Sequence, residues 1–85
     1  MNAINLASLV ESTKKQMSAI TGMESDTISE FDRADDGWNV IIDMLEHRSI
    51  PRTQDLLSTF EVRLDPTGQV MRWKRTGRCT RGQQG

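Results

Sequence analysis

Leu6, Leu9, Val10, Met17 and Ile20, with Thr13 among them, fall in one stripe at helical spacing, while Glu11, Lys14, Lys15 and Ser18 lie mostly outside it. This pattern predicts a helix over 3–21, with Asn2 or Asn5 capping its start and Gly22 taking the left-handed position past its end. Residues 24–36 are acidic and weakly patterned. Ile28 and Phe31 do not share a period-two face, so the strand expected over 27–33 needs a bulge or a short pairing, and the Asp-Gly step of "ADDGW" supplies a hairpin turn. "WNVIIDMLEH" is the clearest strand. Trp38, Val40, Ile42 and Met44 point to one face and the mixed set Asn39, Ile41, Asp43 and Leu45 to the other, which suits a central position.

"RSIPRTQDLLSTF" changes character. Ile50 before Pro51 is driven to an extended conformation, and Thr53 as N-cap with Asp55 in the first turn predicts a short helix over about 53–58, with Leu56 and Leu57 facing inward. Phe60, Val62 and Leu64 then alternate with Glu61, Arg63 and Asp65, and Asp65-Pro66-Thr67-Gly68 is strong turn chemistry. Pairing Asp65 with Val70 sets Leu64 opposite Met71, Val62 opposite Trp73 and Glu61 opposite Lys74. Pairing Asp65 with Gln69 would instead set Val62 opposite Arg72, so the first register is preferred.

The expected fold is therefore α+β: an N-terminal helix packed on a small antiparallel sheet of three to four strands, with a short helical turn before the last hairpin. The predicted core is Leu6, Leu9, Val10, Met17, Ile20, Trp38, Val40, Ile42, Met44, Leu56, Leu57, Phe60, Val62, Leu64, Met71 and Trp73. Residues 1–76 read as one domain. Residues 77–85, with three glycines and no apolar pattern, read as a flexible basic tail whose removal leaves folding nearly intact.

The net charge of −1 hides an asymmetry. Residues 1–36 carry three basic and seven acidic groups, residues 37–71 three and five, and residues 72–85 five basic groups and no acid. Arg72, Lys74, Arg75, Arg78 and Arg81 thus concentrate at one end. They suit an electrostatic contact with an acidic partner surface, a phosphate-binding stripe with Trp73, or pairing with the chain's own acidic N-terminal half. The overall acidity and the expected burial of Trp73 favour the protein surface over nucleic acid.

Catalytic material is sparse. His47 lies beside Glu46 in a charged strand end, Cys79 is the only cysteine, Asp35 and Asp36 occupy a turn, and no glycine loop follows a strand-to-helix motif. No catalytic residue, metal site or cofactor is expected. A lone cysteine, the lack of a secretory signal pattern and the lack of about 20 consecutive apolar residues suit a cytoplasmic protein with no membrane span.

The order of these features resembles the gas vesicle protein O family over about 37–82. The matching positions are Gly37 and Trp38, Glu46, Arg48, Ile50 and Pro51, then Asp55, Leu56 and Leu57, and then Phe60, Glu61, Val62, Leu64, Asp65 and Gly68. Trp73, Arg75, Arg78 and Arg81 close the pattern. Phe60 and Trp73 stand where that family usually has tyrosine, and Cys79 stands where a further tyrosine is usual. The resemblance implies a small cytoplasmic accessory protein for forming gas vesicles, gas-filled protein shells that give buoyancy. It would be an assembly factor acting by contact with other accessory proteins and the shell protein, without cofactor or catalysis. The alternative is a nucleic-acid-binding regulator of gas vesicle expression that uses the basic C-terminal strand and tail.

Overall fold

The structure of the protein, a computed structural model, describes residues 5–83. Helix α1 (Leu6–Thr21) leads into β1 (Glu24–Ala34), β2 (Gly37–His47), a 3-10 turn (Arg52–Gln54), β3 (Leu56–Leu64), β4 (Val70–Thr80) and a second 3-10 turn (Arg81–Gln83). The strands form one antiparallel sheet in sequential order, β1-β2-β3-β4. The α+β expectation holds, with all four strands present.

Local chemistry sets the helix ends. The Asn5 side chain accepts from the Ala7 N–H at 2.8 Å, and the N–H of Gly22, at φ 75°, donates to the Ser18 carbonyl. Only the middle of the apolar stripe, Leu9, Thr13 and Met17, is buried. Buried Thr13 returns its hydroxyl to the Leu9 carbonyl at 2.8 Å and so brings no unpaired polar atom with it. Met17 of the helix packs in one cluster with Val40, Ile42 and Met44 of β2 and Phe60, Val62 and Leu64 of β3, and the helix also approaches β1 and β4. Gln16 makes the second contact: its amide donates to the Gly68 carbonyl and accepts from the Val70 N–H, both at 2.8 Å. One side chain thereby occupies main-chain groups that an outer strand would otherwise leave open.

Two bulges reconcile β1 with its sequence. Asp26 and Ser29 are extra residues relative to β2, and the second bulge brings Ile28 opposite Ile42 and Phe31 opposite Val40, both onto the helix-side face. There they flank the core of Met17, Val40, Ile42, Met44, Phe60, Val62 and Leu64. Phe31 also meets Trp38 with ring centroids 5.5 Å apart, and the Arg33 guanidinium lies 5.2 Å from the Trp38 ring.

The last hairpin uses both registers weighed from sequence. At the turn the Asp65 N–H bonds the Gln69 carbonyl and Leu64 pairs with Val70; beyond a bulge at Met71, Arg63 pairs with Arg72, Val62 with Trp73 and Glu61 with Lys74. Leu64 therefore does not face Met71. As the extra residue, Met71 is 56% exposed rather than in the core.

Four further expectations are corrected. Trp73 lies on the helix-side face opposite Val62, yet it is 47% exposed, because β4 is an outer strand and α1 reaches only its first residues. Leu6 and Ile20 are exposed because they sit at the two ends of α1, outside its buried middle. The short helical turn expected over about 53–58 is present but stops earlier, as a 3-10 turn at Arg52–Gln54, and Leu56 and Leu57 belong to β3, where Leu57 is buried between Leu45 and Cys79 in the register. Finally, β4 does not fray after Thr76. Gly77, Arg78, Cys79 and Thr80 pair with Thr59, Ser58, Leu57 and Leu56. Deleting residues from 77 onward would strip the partner from half of β3. Residues 84 and 85 of the expected tail lie outside the described residues.

Gly37 and Gly68 each answer a steric demand. At Gly37, with φ 147°, a Cβ would stand 1.8 Å from the Leu64 carbonyl oxygen; at Gly68, with φ 97°, it would stand 2.4 Å from a Leu9 methyl. The first obstacle is backbone and cannot swing aside. Gly37→Ala is expected to destabilise the fold by about 3 kcal/mol or more in urea unfolding, combining strain with overpacking. A loss below about 1 kcal/mol would show that the β2–β3 approach is looser than described.

Candidate functional site

Three of the five basic residues singled out from sequence are drawn into ion pairs at the far end of the sheet. Arg78 forks onto Glu46, with Nε 3.0 Å from one carboxylate oxygen and a terminal nitrogen in close contact with the other. The Ser58 hydroxyl donates to the same carboxylate, and Arg75 stands 3.8 Å from it. Glu46 arrives there because it is the extra residue of a bulge between Leu45 and His47.

Arg81 makes the second cluster. Its terminal nitrogens hold both oxygens of Asp26 on β1, at 2.8 and 3.2 Å, while its Nε reaches Asp55 at 3.2 Å. Asp55, fully buried, also accepts from the Ser49 N–H at 2.7 Å, and its own carbonyl accepts from the Arg81 N–H. A side chain that follows β4 therefore grips β1, the opposite edge of the sheet, and the segment just before β3. This is the pairing of the basic end with the acidic N-terminal half that the charge asymmetry allowed. Asp26, Ser49 and Ser58 carried no sequence signal of their own.

These contacts explain much of the family-like pattern. Glu46, Asp55, Arg78 and Arg81 hold the end of the sheet. Asp65 accepts from the Thr67 N–H and hydroxyl and from the Gln69 N–H, which ties the turn that Gly68 completes. Arg48 pairs with Glu24 at the surface, and Ile50, fully exposed, tips the β2–β3 loop before a cis Pro51.

What remains outward is β4 from Met71 to Arg75. Its alternation places Arg72 and Lys74 on the sheet face away from the helix, and Trp73 with Arg75 on the helix-side face. The half of the face away from the helix that lies nearest the β1–β2 and β3–β4 turns is uncovered and forms a trough of about 590 Å³, whereas Leu57, on the same face at the other end, is fully buried. Two cross-strand rows line it: Glu30, Ile41, Glu61 and Lys74 in one, and Asp32, Asn39, Arg63 and Arg72 in the other. Arg63 reaches Asp36 at 2.7 Å, whereas Arg72 and Lys74 enter no ion pair among the described residues.

His47 is exposed, Cys79 is a half-buried free thiol, and among the described residues no three His, Cys, Asp or Glu side chains gather as a metal site. No helix among them is long and apolar enough to cross a membrane.

The ion clusters make stability depend on pH. The Arg81 guanidinium holds the Asp26 carboxyl below its usual value, the Ser49 N–H and then Arg81 do so for Asp55, and Arg78 with Ser58 does so for Glu46. Groups depressed by folding contribute fully above their ordinary values, 3.8 for the aspartates and 4.5 for the glutamate, and lose that contribution as pH falls through their folded values. Arg81→Met is thus expected to unfold more easily at about pH 6 and to lose less further stability than the parent between about pH 6 and about pH 3. Parallel stability curves for the two proteins would remove the clamp from the account.

Comparison with known proteins agrees with the sequence pattern. The family model described as gas vesicle synthesis protein GvpO matches residues 1–85. Gas vesicle protein O of Streptomyces sp. strain CB03234 is 39% identical over 67 residues, 79% of this chain and 52% of that protein. Gas vesicle protein O of Haloferax mediterranei is 36% identical over 47 residues, 55% of this chain and 34% of that protein. Gas vesicle protein O1 of Halobacterium salinarum strain NRC-1 is 35% identical over 48 residues, 56% of this chain and 40% of that protein. The matches thus span about half or less of the length of these relatives. No solved structure matches the chain significantly.

Proposed function

The chain belongs to the gas vesicle synthesis protein GvpO family, and from that premise we propose that it is a non-catalytic, cytoplasmic assembly factor that works by docking β4 onto other gas vesicle proteins. The observation that carries this reading is an outer strand left uncovered where it is most basic. Trp73 is half exposed, Met71 is pushed outward by its bulge, and Arg72, Lys74 and Arg75 flank them. Trp73 with Arg75 on one face of the strand is a side-chain pair that protein interfaces favour, and Arg72 and Lys74 on the other face select an acidic partner surface among accessory or shell proteins. Arg78 and Arg81, engaged at home, hold the strand in place for that contact.

The exposure of Trp73 also revives the nucleic-acid reading, since an open indole among cations can stack a base. Strand alternation weakens it: Arg72 and Lys74 point to the face opposite Trp73, so the ring and most of the charge do not converge on one ligand strand.

Charge reversal tests docking more cleanly than truncation does. The triple variant Arg72→Glu, Lys74→Glu, Arg75→Glu is expected to keep the parent circular dichroism spectrum and to abolish vesicle formation when it replaces the parent chain in a vesicle-forming host. Full vesicle yield from that variant would refute the docking reading. Binding of the parent to duplex DNA, with a log–log salt slope of roughly −0.9 per phosphate contacted, would establish the rival instead.

A further inference from the structure

Charge on the uncovered face is segregated by strand. Both border strands carry one sign, Glu30 and Asp32 on β1 and Arg72 and Lys74 on β4; between them lie Ile41 and Asn39 on β2 and one charge of each sign, Glu61 and Arg63, on β3. The acidic and basic borders are three strand spacings apart, about 14 Å. Each acid shares a cross-strand row with one base, Glu30 with Lys74 and Asp32 with Arg72, and none of the four enters an ion pair among the described residues.

We propose that this face binds a second copy of the chain, as a weak symmetric dimer in which two sheets stack face to face about a two-fold axis parallel to the strands. That axis lays β1 of each copy over the partner's β4, so Glu30 meets the partner's Lys74 and Asp32 meets the partner's Arg72, twice over. The other simple two-fold arrangements fail on charge. An axis lying in the interface across the strands stacks β1 on β1 and β4 on β4, which opposes like charges at both borders and leaves only Glu61 and Arg63 on β3 facing opposite signs. Pairing two β1 edges or two β4 edges does the same, and bulges at Asp26, Ser29, Met71 and Thr76 further break the flat edges such pairing needs. Aligned sheets pack about 10 Å apart, a gap that long Glu, Lys and Arg side chains bridge. So small and polar a face belongs with interfaces under about 1,200 Å², which are weak and reversible. The inference stands on charge placement alone, independent of the vesicle role; an acidic partner of the kind proposed above would compete with the second copy for Arg72 and Lys74.

Sedimentation equilibrium of the full chain across roughly 10 µM to 1 mM tests it. Self-association is expected at about 0.05 M salt and is lost at about 0.5 M, where screening shortens the reach of charge. Two double variants, E30K/D32K and R72E/K74E, are each expected to stay monomeric, because each carries one sign on both borders. An equimolar mixture of the two is expected to recover the dimer mass, since each variant then supplies the sign the other lacks. A parent that stays monomeric at low salt across that range, a dimer that both variants retain, or a mixture that stays monomeric while each variant keeps the parent circular dichroism spectrum would overturn the proposal.

Discussion

The guanidinium of Arg81 binds carboxylates from two distant parts of the chain, and the far end of the sheet depends on it. A four-stranded antiparallel sheet with one short helix can cover only part of one face. Where α1 does not reach, β4 has no apolar partner over it, and main-chain pairing to β3 alone leaves its last residues prone to open. Arg81 changes this by tying the end of β4 to Asp26 on the opposite edge and to buried Asp55 before β3. Asp55 in turn fixes the Ser49 N–H in the β2–β3 loop. One side chain thus joins three segments that are far apart in sequence.

The other end of the sheet is closed by different means. Gln16 lends its amide to the open edge at Gly68 and Val70, and the Gly68 backbone packs against Leu9. Between the two closures, β4 runs past Met71 to Arg75 with no cover. The segment is therefore held at both ends and open in the middle, an ordering that would lower the entropy lost in the docking proposed above.

Much of this was legible in the sequence, and the misses lie where local pattern does not report tertiary cover or pairing. The α1 stripe, the β2 alternation, the Asp-Gly and Asp-Pro-Thr-Gly turns and the middle register of the last hairpin follow from local rules of periodicity and turn chemistry. Ile28 and Phe31 signalled a bulge by their spacing, and the bulge at Ser29 is there. Leu6, Ile20 and Trp73 were misplaced because periodicity reports which face a residue shares, not whether anything lies over that face, and Met71 because the hairpin changes register at a bulge there. The 77–80 segment was misjudged because Gly77 and three polar neighbours offer no apolar pattern, while their order comes from pairing with β3 and from a carboxylate 55 positions away from Arg81. Local patterns carry no record of such distant partners; only the opposite charge of the two chain ends hinted at one.

Hydrogen exchange of backbone amides, compared between the parent and Arg81→Met, measures the central claim most directly. The account predicts a selective loss of protection in Leu56, Leu57 and Ser58 and in their β4 partners Arg78, Cys79 and Thr80, with the Val40–Val62 centre of the sheet unchanged. Undiminished protection at those six amides would contradict the claim that one arginine, set between two distant carboxylates, keeps the end of the sheet closed.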